Sequence, residues 1–176
     1  MDPKTKQASS DEWNVEAGLL LSSQLLLEYN AYYFYSACAA HFSRSDVCLK
    51  GLASFFRKKS LDENAQAQKI IGFMNMRELD IEFRAIEAPD IKKYGKTSGV
   101  LKACKEFEQT VLSNISTISE IARKAGDGAI VQFLEDFIAE QVRSISELSD
   151  LCANCARCGD GGVGLFLFDQ SLISQH

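Results

Sequence analysis

The sequence predicts an all-α protein, a bundle of four long helices followed by a short fifth helix. Only two prolines, Pro3 and Pro89, occur in the 176 residues, so little in the chain interrupts a long helix. No segment alternates polar and apolar residues with the period of a β-strand. Glycine, serine and aspartate cluster near residues 43–46, 126–128 and 159–162, and these clusters separate long segments with apolar residues at alternating spacings of three and four.

The first helix follows a polar segment. We expect residues 1–12 to form a disordered N-terminal tail and residues 13–176 to form one four-helix-bundle domain. Glu28 is the only aspartate, glutamate, lysine or arginine between Ala17 and Ser43. It interrupts an apolar stripe that runs through Leu21, Leu25, Glu28, Tyr32, Tyr35, Ala39 and Phe42.

The second helix has a similar stripe with polar residues at its centre. The stripe runs through Leu49, Leu52, Phe56, Lys59, Glu63, Gln66, Ile70 and Phe73. The link that follows, from about Glu78 to Thr97, is too long for a tight turn. Its length suits a crossover connection that runs along the bundle.

The third and fourth helices are each interrupted once. The third stripe runs through Leu101, Cys104, Glu108, Val111, Ile115, Ile118 and Ala122. The fourth runs through Ile130, Leu134, Phe137, Gln141, Ile145, Leu148, Cys152 and Cys155. The apolar segment from Val163 to Ile173 is expected to form the short fifth helix.

The polar interruptions are expected to lie at one height in the bundle. Glu28, Glu63, Glu108 and Gln141 are similar distances from the predicted turns, and a rise of 1.5 Å per residue places them within roughly 8 Å of one another along the axis. Three carboxylates in an apolar layer would repel each other unless a cation lies among them, and oxygen ligands favour a hard metal ion. The alternative is a structural polar layer in which Lys59 pairs with Glu63.

The composition argues against several kinds of partner and location for this protein. The net charge of −5 argues against nucleic acid and anionic membranes as partners. No apolar run is long enough to span a bilayer, and the polar N-terminus does not resemble a signal peptide. We therefore expect a cytoplasmic protein whose six cysteines are thiols. Cys152, Cys155 and Cys158 form C-x-x-C-x-x-C, but a zinc site needs a fourth ligand and none is near in sequence.

Several stretches resemble one known family. They are LLLEYNAYYFY, HFSRSDVCLKGLASFFRKKSLDE, AEQVRSISEL and LFLFD. The chain from Trp13 to Ile173 is similar to ferritin, the iron-storage cage protein. The resemblance implies that Glu28, Glu63, Glu108 and Gln141 are metal ligands of a di-iron ferroxidase centre, and that Tyr35 is the tyrosine beside it. Gln66 occupies the place of the family's histidine ligand.

The resemblance also implies a function and partners. The chain is expected to store iron as a subunit of a hollow 24-subunit cage, alone or mixed with other ferritin chains. Ferrous iron would be oxidised at a di-iron centre that is weakened and only partly occupied, because the amide of Gln66 is a poorer ligand than imidazole. The alternative is a non-catalytic structural subunit, or a protective shell, that depends on partner chains for ferroxidase activity.

Overall fold

The computed structural model describes residues 3–173, with side chains from residue 11 onward, and confirms the predicted helical fold. Helix α1 spans Pro3–Ser43, α2 spans Lys50–Met76, α3 spans Thr97–Ala125, α4 spans Gly128–Cys158 and α5 spans Gly162–Ile173. A short 3₁₀ helix, Ile91–Tyr94, precedes α3. No strand occurs among these described residues.

Helix α1 begins within the predicted N-terminal tail. Its first described residue is Pro3, so residues 3–12 are helical in the structure, where the sequence suggested a disordered segment. Proline is well tolerated in the first turn of a helix, because the N–H group that it lacks would have no partner there. The boundary of the folded domain at residue 13 stays a prediction.

The turn between α3 and α4 depends on a glycine in a left-handed conformation. Gly126 adopts a left-handed conformation with φ of 80°, which a residue without a side chain reaches at little cost. The next residue, Asp127, caps α4 by accepting a hydrogen bond from the backbone N–H of Ile130 at 3.1 Å. A tight turn of this kind makes α3 and α4 antiparallel neighbours.

The long link between α2 and α3 runs along α1. The N–H of Glu82 donates to Ser22 Oγ at 3.0 Å, and the N–H of Glu87 donates to Asn30 Oδ1 at 2.9 Å. These contacts carry the chain from the N-terminal half of α1 towards its C-terminal half. Helices α2 and α3 are therefore both antiparallel to α1, and the predicted crossover is confirmed.

The apolar core consists of two clusters. One contains the aromatic residues of the bundle end that α5 covers, where the rings of Phe42 and Phe56 stack with centroids 5.6 Å apart. The other fills the opposite end and is mostly aliphatic. Phe107 is partly buried and packs against both clusters. The predicted polar layer lies where the two clusters meet.

Helix α5 is fixed to α2 at one close contact. Asp169 is buried and its Oδ1 accepts a hydrogen bond from the N–H of Leu52 at 2.8 Å. Gly51 makes this approach possible, since a Cβ at that position would lie 2.0 Å from the carbonyl oxygen of Asp169. The short helix is thus packed on the bundle as the sequence predicted.

Two further expectations concern the chain as a whole. All six cysteines are free thiols in the structure. Within the part of the chain that is described, no helix combines the length and the hydrophobicity needed to cross a membrane.

Candidate metal centre

The polar layer contains one group from each of the four long helices. Glu28 lies on α1, Glu63 on α2, Glu108 on α3 and Gln141 on α4, and each is buried. Glu28 and Glu108 are only 1% exposed. The structure thus places all four predicted ligands at the middle of the bundle, between the two apolar clusters.

Glu108 is held from two sides. The Tyr35 hydroxyl donates a hydrogen bond to Glu108 Oε1. The Gln141 amide donates to Glu108 Oε2 and also to the Glu108 backbone carbonyl, the latter at 3.0 Å. Tyr35 is fully buried and its ring stacks on Phe56 with centroids 5.8 Å apart. These contacts join three of the predicted site residues into one cluster.

Glu28 is held by a residue that the sequence reasoning missed. Gln24 Nε2 donates to Glu28 Oε1 at 2.6 Å, and Asn114 Nδ2 donates to Gln24 Oε1 at 2.8 Å. Gln24 lies four residues before Glu28, so helical spacing alone could have paired them. The second carboxylate oxygen of Glu28, Oε2, is buried and accepts no hydrogen bond from an amide or hydroxyl.

Burial sets the protonation of the layer. It raises the pKa of Glu28 to about 7, against the hydrogen bonds from Glu63 and Gln24, and the charges of Glu108 and Glu140 raise it further. Burial, followed by the charges of Glu108 and Glu28, raises the pKa of Glu63 well above its usual range. Without a cation, burial therefore favours the protonated forms of these two carboxyls.

Gln66 faces a cavity at the edge of the layer. Its Nε2 donates to Glu140 Oε2, and its buried Oε1 has no hydrogen-bond partner. The cavity has a volume of about 730 Å³ and lies between α2 and α4, with Glu28, Glu63, Gln66, Glu140 and Gln141 in its lining. Glu140 lies off the buried stripe of α4, so the sequence pattern gave no reason to select it.

Lys59 does not pair with Glu63. Its Nζ donates to Ser144 Oγ at 2.7 Å and lies 3.4 Å from Glu147 Oε2, both on α4. Its charge still lowers the pKa of Glu63, although less than burial and the other carboxylates raise it. The structural polar layer considered from the sequence therefore lacks the ion pair that it required.

The donor set fits a hard divalent cation. No three aspartate, glutamate, histidine or cysteine side chains of the described residues already converge at metal-binding distances. The carboxylates instead bind neighbouring amides and the Tyr35 hydroxyl. Two buried oxygens, Glu28 Oε2 and Gln66 Oε1, accept no hydrogen bond from an amide or hydroxyl, and the Glu28 carboxylate also contacts the Glu63 carboxyl. Two carboxylates in contact need a proton or a cation between them, and a buried oxygen without a donor is costly. Oxygen donors of this kind suit ferrous iron, which here would be a substrate.

The cysteines near the end of α4 form a separate feature. Cys155 is buried, Cys152 is half-buried and Cys158 is exposed. Cys155 Sγ lies 3.8 Å from Asp160 Oδ1, and burial raises the pKa of that thiol to about 11. No group of three or more metal-binding side chains forms around these thiols in the described part of the chain.

The fold and the layer define a class of protein, a four-helix bundle with a crossover and a carboxylate centre. The family model described as a ferritin-like domain matches residues 19–158. The chain is 33% identical to a ferritin of Pacifastacus leniusculus over 86% of this chain and 84% of that protein. It is 32% identical to the soma ferritin of Lymnaea stagnalis over 90% of each, and 30% identical to a ferritin middle subunit of Aquarana catesbeiana over 88% of this chain and 90% of that one. The chain belongs to the ferritin family.

Proposed function

We propose that this chain is an iron-storage subunit that also oxidises ferrous iron at the central layer. The observation that carries the proposal is a pair of buried oxygens, Glu28 Oε2 and Gln66 Oε1, that lack an amide or hydroxyl donor and lie beside carboxylates buried in an apolar core. A folded protein keeps such groups at a cost of about 1–3 kcal/mol each. A bound cation offsets that cost, and the cavity between α2 and α4 gives it a path inwards.

The layer offers two metal positions. Glu63, Glu108 and Gln141 would hold the first, with Tyr35 hydrogen-bonded to Glu108 beside it. Glu28, Glu63 and Gln66 belong to the second, so that Glu63 bridges the two. The second position binds more weakly because an amide oxygen is a poorer donor than imidazole. Two ferrous ions together would supply electrons for the reduction of dioxygen, so weak binding at the second position limits the rate.

Assembly into a cage is part of the proposal. Several large apolar side chains of α5 remain exposed in the single subunit, among them Val163 at 74%, Phe166 at 57% and Leu167 at 59%. Such a patch favours burial against other copies. We expect a 24-subunit shell, alone or mixed with other ferritin chains, and mass photometry that shows only monomers or dimers would contradict it.

A matched pair of variants on α3 tests the centre. Glu108→Gln removes a buried ligand, whereas Glu106→Gln removes an exposed carboxylate on the same helix that pairs only with Lys102. Under anaerobic conditions, Glu108→Gln should lose the tighter ferrous site by calorimetry and lose oxygen consumption when air is admitted. Glu106→Gln should retain both. Equal behaviour of the two variants would contradict the proposed centre.

The second candidate function is a non-catalytic cage subunit. Gln66 favours it, because its amide lies where the family resemblance implies an imidazole ligand, and an amide oxygen is the poorer donor. In that case the unmodified protein would assemble and accumulate iron only when mixed with catalytic ferritin chains. The cytoplasmic location remains a prediction from the sequence, and the relatives include chloroplastic ferritins such as one from Zea mays.

A further inference from the structure

Glu140 lies where the second metal position lacks a strong ligand. It precedes Gln141 on α4, and because consecutive helical residues point about 100° apart, the two side chains diverge. Gln141 turns inwards to Glu108, whereas Glu140 turns towards α2 and contacts Gln66. The cavity lining contains Glu140 together with Glu28, Glu63 and Gln66. A fourth carboxylate is thus present at the mouth of the layer.

The contacts of Glu140 leave it free to bind a cation. Its Oε2 accepts from Gln66 Nε2, and its Oε1 lies 3.6 Å from Lys69 Nζ. The Lys69 side chain is 54% exposed, and an ion pair in such a setting contributes little stability. A divalent cation can therefore displace this lysine at small cost.

The two buried oxygens without an amide or hydroxyl donor belong to residues that line this cavity. Glu28 is nearly fully buried and is part of the cavity lining, and its Oε2 accepts no hydrogen bond from an amide or hydroxyl. Gln66 Oε1 is buried and unpartnered on the amide whose Nε2 holds Glu140.

We propose that Glu140 is a ligand of the second metal position, and that Gln66 positions it through the amide hydrogen bond. The position is then an all-oxygen site of Glu28, Glu63 and Glu140, with Gln66 Oε1 available to it, where the family resemblance implies a histidine. This inference rests on the proposed di-iron function. Carboxylate and amide oxygens suit Mn²⁺, whereas imidazole suits Zn²⁺ and iron.

The test uses Mn²⁺, which does not react with oxygen under these conditions and reports its neighbours by electron paramagnetic resonance. The unmodified cage should bind two Mn²⁺ per subunit in the layer and show the signal of a spin-coupled pair. Glu140→Gln should weaken the second binding step at least tenfold, leave the first within a factor of two, and convert the signal to that of isolated Mn²⁺. Equal binding of both ions by Glu140→Gln would overturn the role of Glu140.

Glu147→Gln is the matched control. Glu147 also lines the cavity from α4, pairs with Lys59, and loses the same charge in the variant. It should retain both Mn²⁺ ions and the coupled signal. If Glu147→Gln weakens the second step as much as Glu140→Gln does, the effect is one of general charge and Glu140 is not a ligand.

A double variant separates ligation from positioning. In Gln66→His/Glu140→Gln the imidazole supplies the missing donor, so the second metal and the coupled signal should return. Failure of this rescue would contradict the assignment of both residues to one position. Absence of any Mn²⁺ from the layer of the unmodified protein is a different result, because it would overturn the proposed centre itself.

Discussion

Two polar clusters in this molecule, one partly buried and one fully buried, balance their charge in opposite ways. The first is formed by Trp13, Arg77 and Asp127 at one end of the bundle. Asp127 Oδ2 accepts from Trp13 Nε1 at 2.9 Å and from Arg77 Nη2 at 2.8 Å, and its Oδ1 caps α4. The second is the central layer, where Glu28, Glu63 and Glu108 face each other without an arginine.

The pKa shifts show the same contrast. The Arg77 guanidinium holds the pKa of Asp127 far below its usual range. Burial raises the pKa of Glu28 and of Glu63. Asp127 thus has its counter-charge within the chain and joins α1, the end of α2 and the α3–α4 turn. Among the described residues no lysine or arginine forms an ion pair with the carboxylates of the central layer, since Lys59 pairs with Glu147 instead. This difference distinguishes a structural cluster from a site that binds a cation.

The largest effect is expected when a positive charge is built into the layer. Glu63→Lys removes the bridging ligand and supplies an ammonium that can pair with Glu108. Ferrous oxidation should fall to the uncatalysed rate, since both metal positions lose a ligand. The cage should remain intact, as measured by mass photometry. A variant that still oxidises iron at the original rate would show that the layer is not the reaction site.

The next largest effect is expected on the rate of ferrous oxidation when position 66 carries the histidine that the family resemblance implies. Gln66→His should accelerate ferrous oxidation by about tenfold or more, which corresponds to about 1.4 kcal/mol of added stabilisation. The reason is tighter binding at the second position. Stopped-flow absorbance of the ferric products measures the oxidation rate. Gln68→His, at an exposed position of α2, is the control. If the unmodified protein is already fast and Gln66→His changes nothing, Gln66 is not the limiting residue.

A substitution in the cluster of Trp13, Arg77 and Asp127 should change the stability of the fold and leave metal binding unchanged. Asp127→Ala removes the partner of Arg77 and Trp13 and the cap of α4, so it should destabilise the fold by about 1–3 kcal/mol. Metal binding in the central layer should be unchanged. Denaturant unfolding and Mn²⁺ calorimetry measure the two quantities. Asp46→Ala, which breaks an exposed pair with Arg44, is the control and should be nearly neutral.

The smallest effect is a difference in pH dependence. Because the folded pKa of Glu28 is about 7 and its ordinary value is 4.5, the metal-free fold loses stability as pH rises between these values. Asp127 acts in the other direction, since its lowered pKa removes stability as pH falls below its ordinary value of 3.8. Glu28→Gln should flatten the thermal-unfolding profile between pH 5 and 7 and leave the acid limb unchanged. An unaltered profile in the upper range would contradict the protonation described here.

The buried stripes of α1, α3 and α4 were largely predictable from the sequence. The buried stripe of α2 was predicted less accurately. Glycines mark the α3–α4 turn, and all seven predicted stripe residues of α3 are buried. Along α2 part of the predicted stripe is buried, namely Leu52, Phe56, Glu63 and Ile70. Ser60, Ala67 and Met74 are also buried, each one residue after the predicted Lys59, Gln66 and Phe73. The predicted Lys59 and Gln66 are at the edge of the buried face, because they line the open cavity against α4.

The predicted ligands were found from helical period and height, which fix the side of a helix that a residue occupies. The partners of those ligands were harder to find. Glu140 lies off the buried stripe of α4. Its contact with Gln66 depends on the rotamers of the two side chains, which helical periodicity does not determine. Gln24 was within reach of sequence reasoning, since it precedes Glu28 by one turn on the same face.

Anomalous diffraction from crystals soaked anaerobically in ferrous iron tests the central claim most directly. We expect a strong iron peak among Glu63, Glu108 and Gln141, and a weaker one beside Glu28, Glu63 and Gln66. We expect no peak at the cluster of Trp13, Arg77 and Asp127. A central layer that stays free of anomalous density, in crystals that bind iron elsewhere, would contradict the claim that its unpaired carboxylates are there to bind metal.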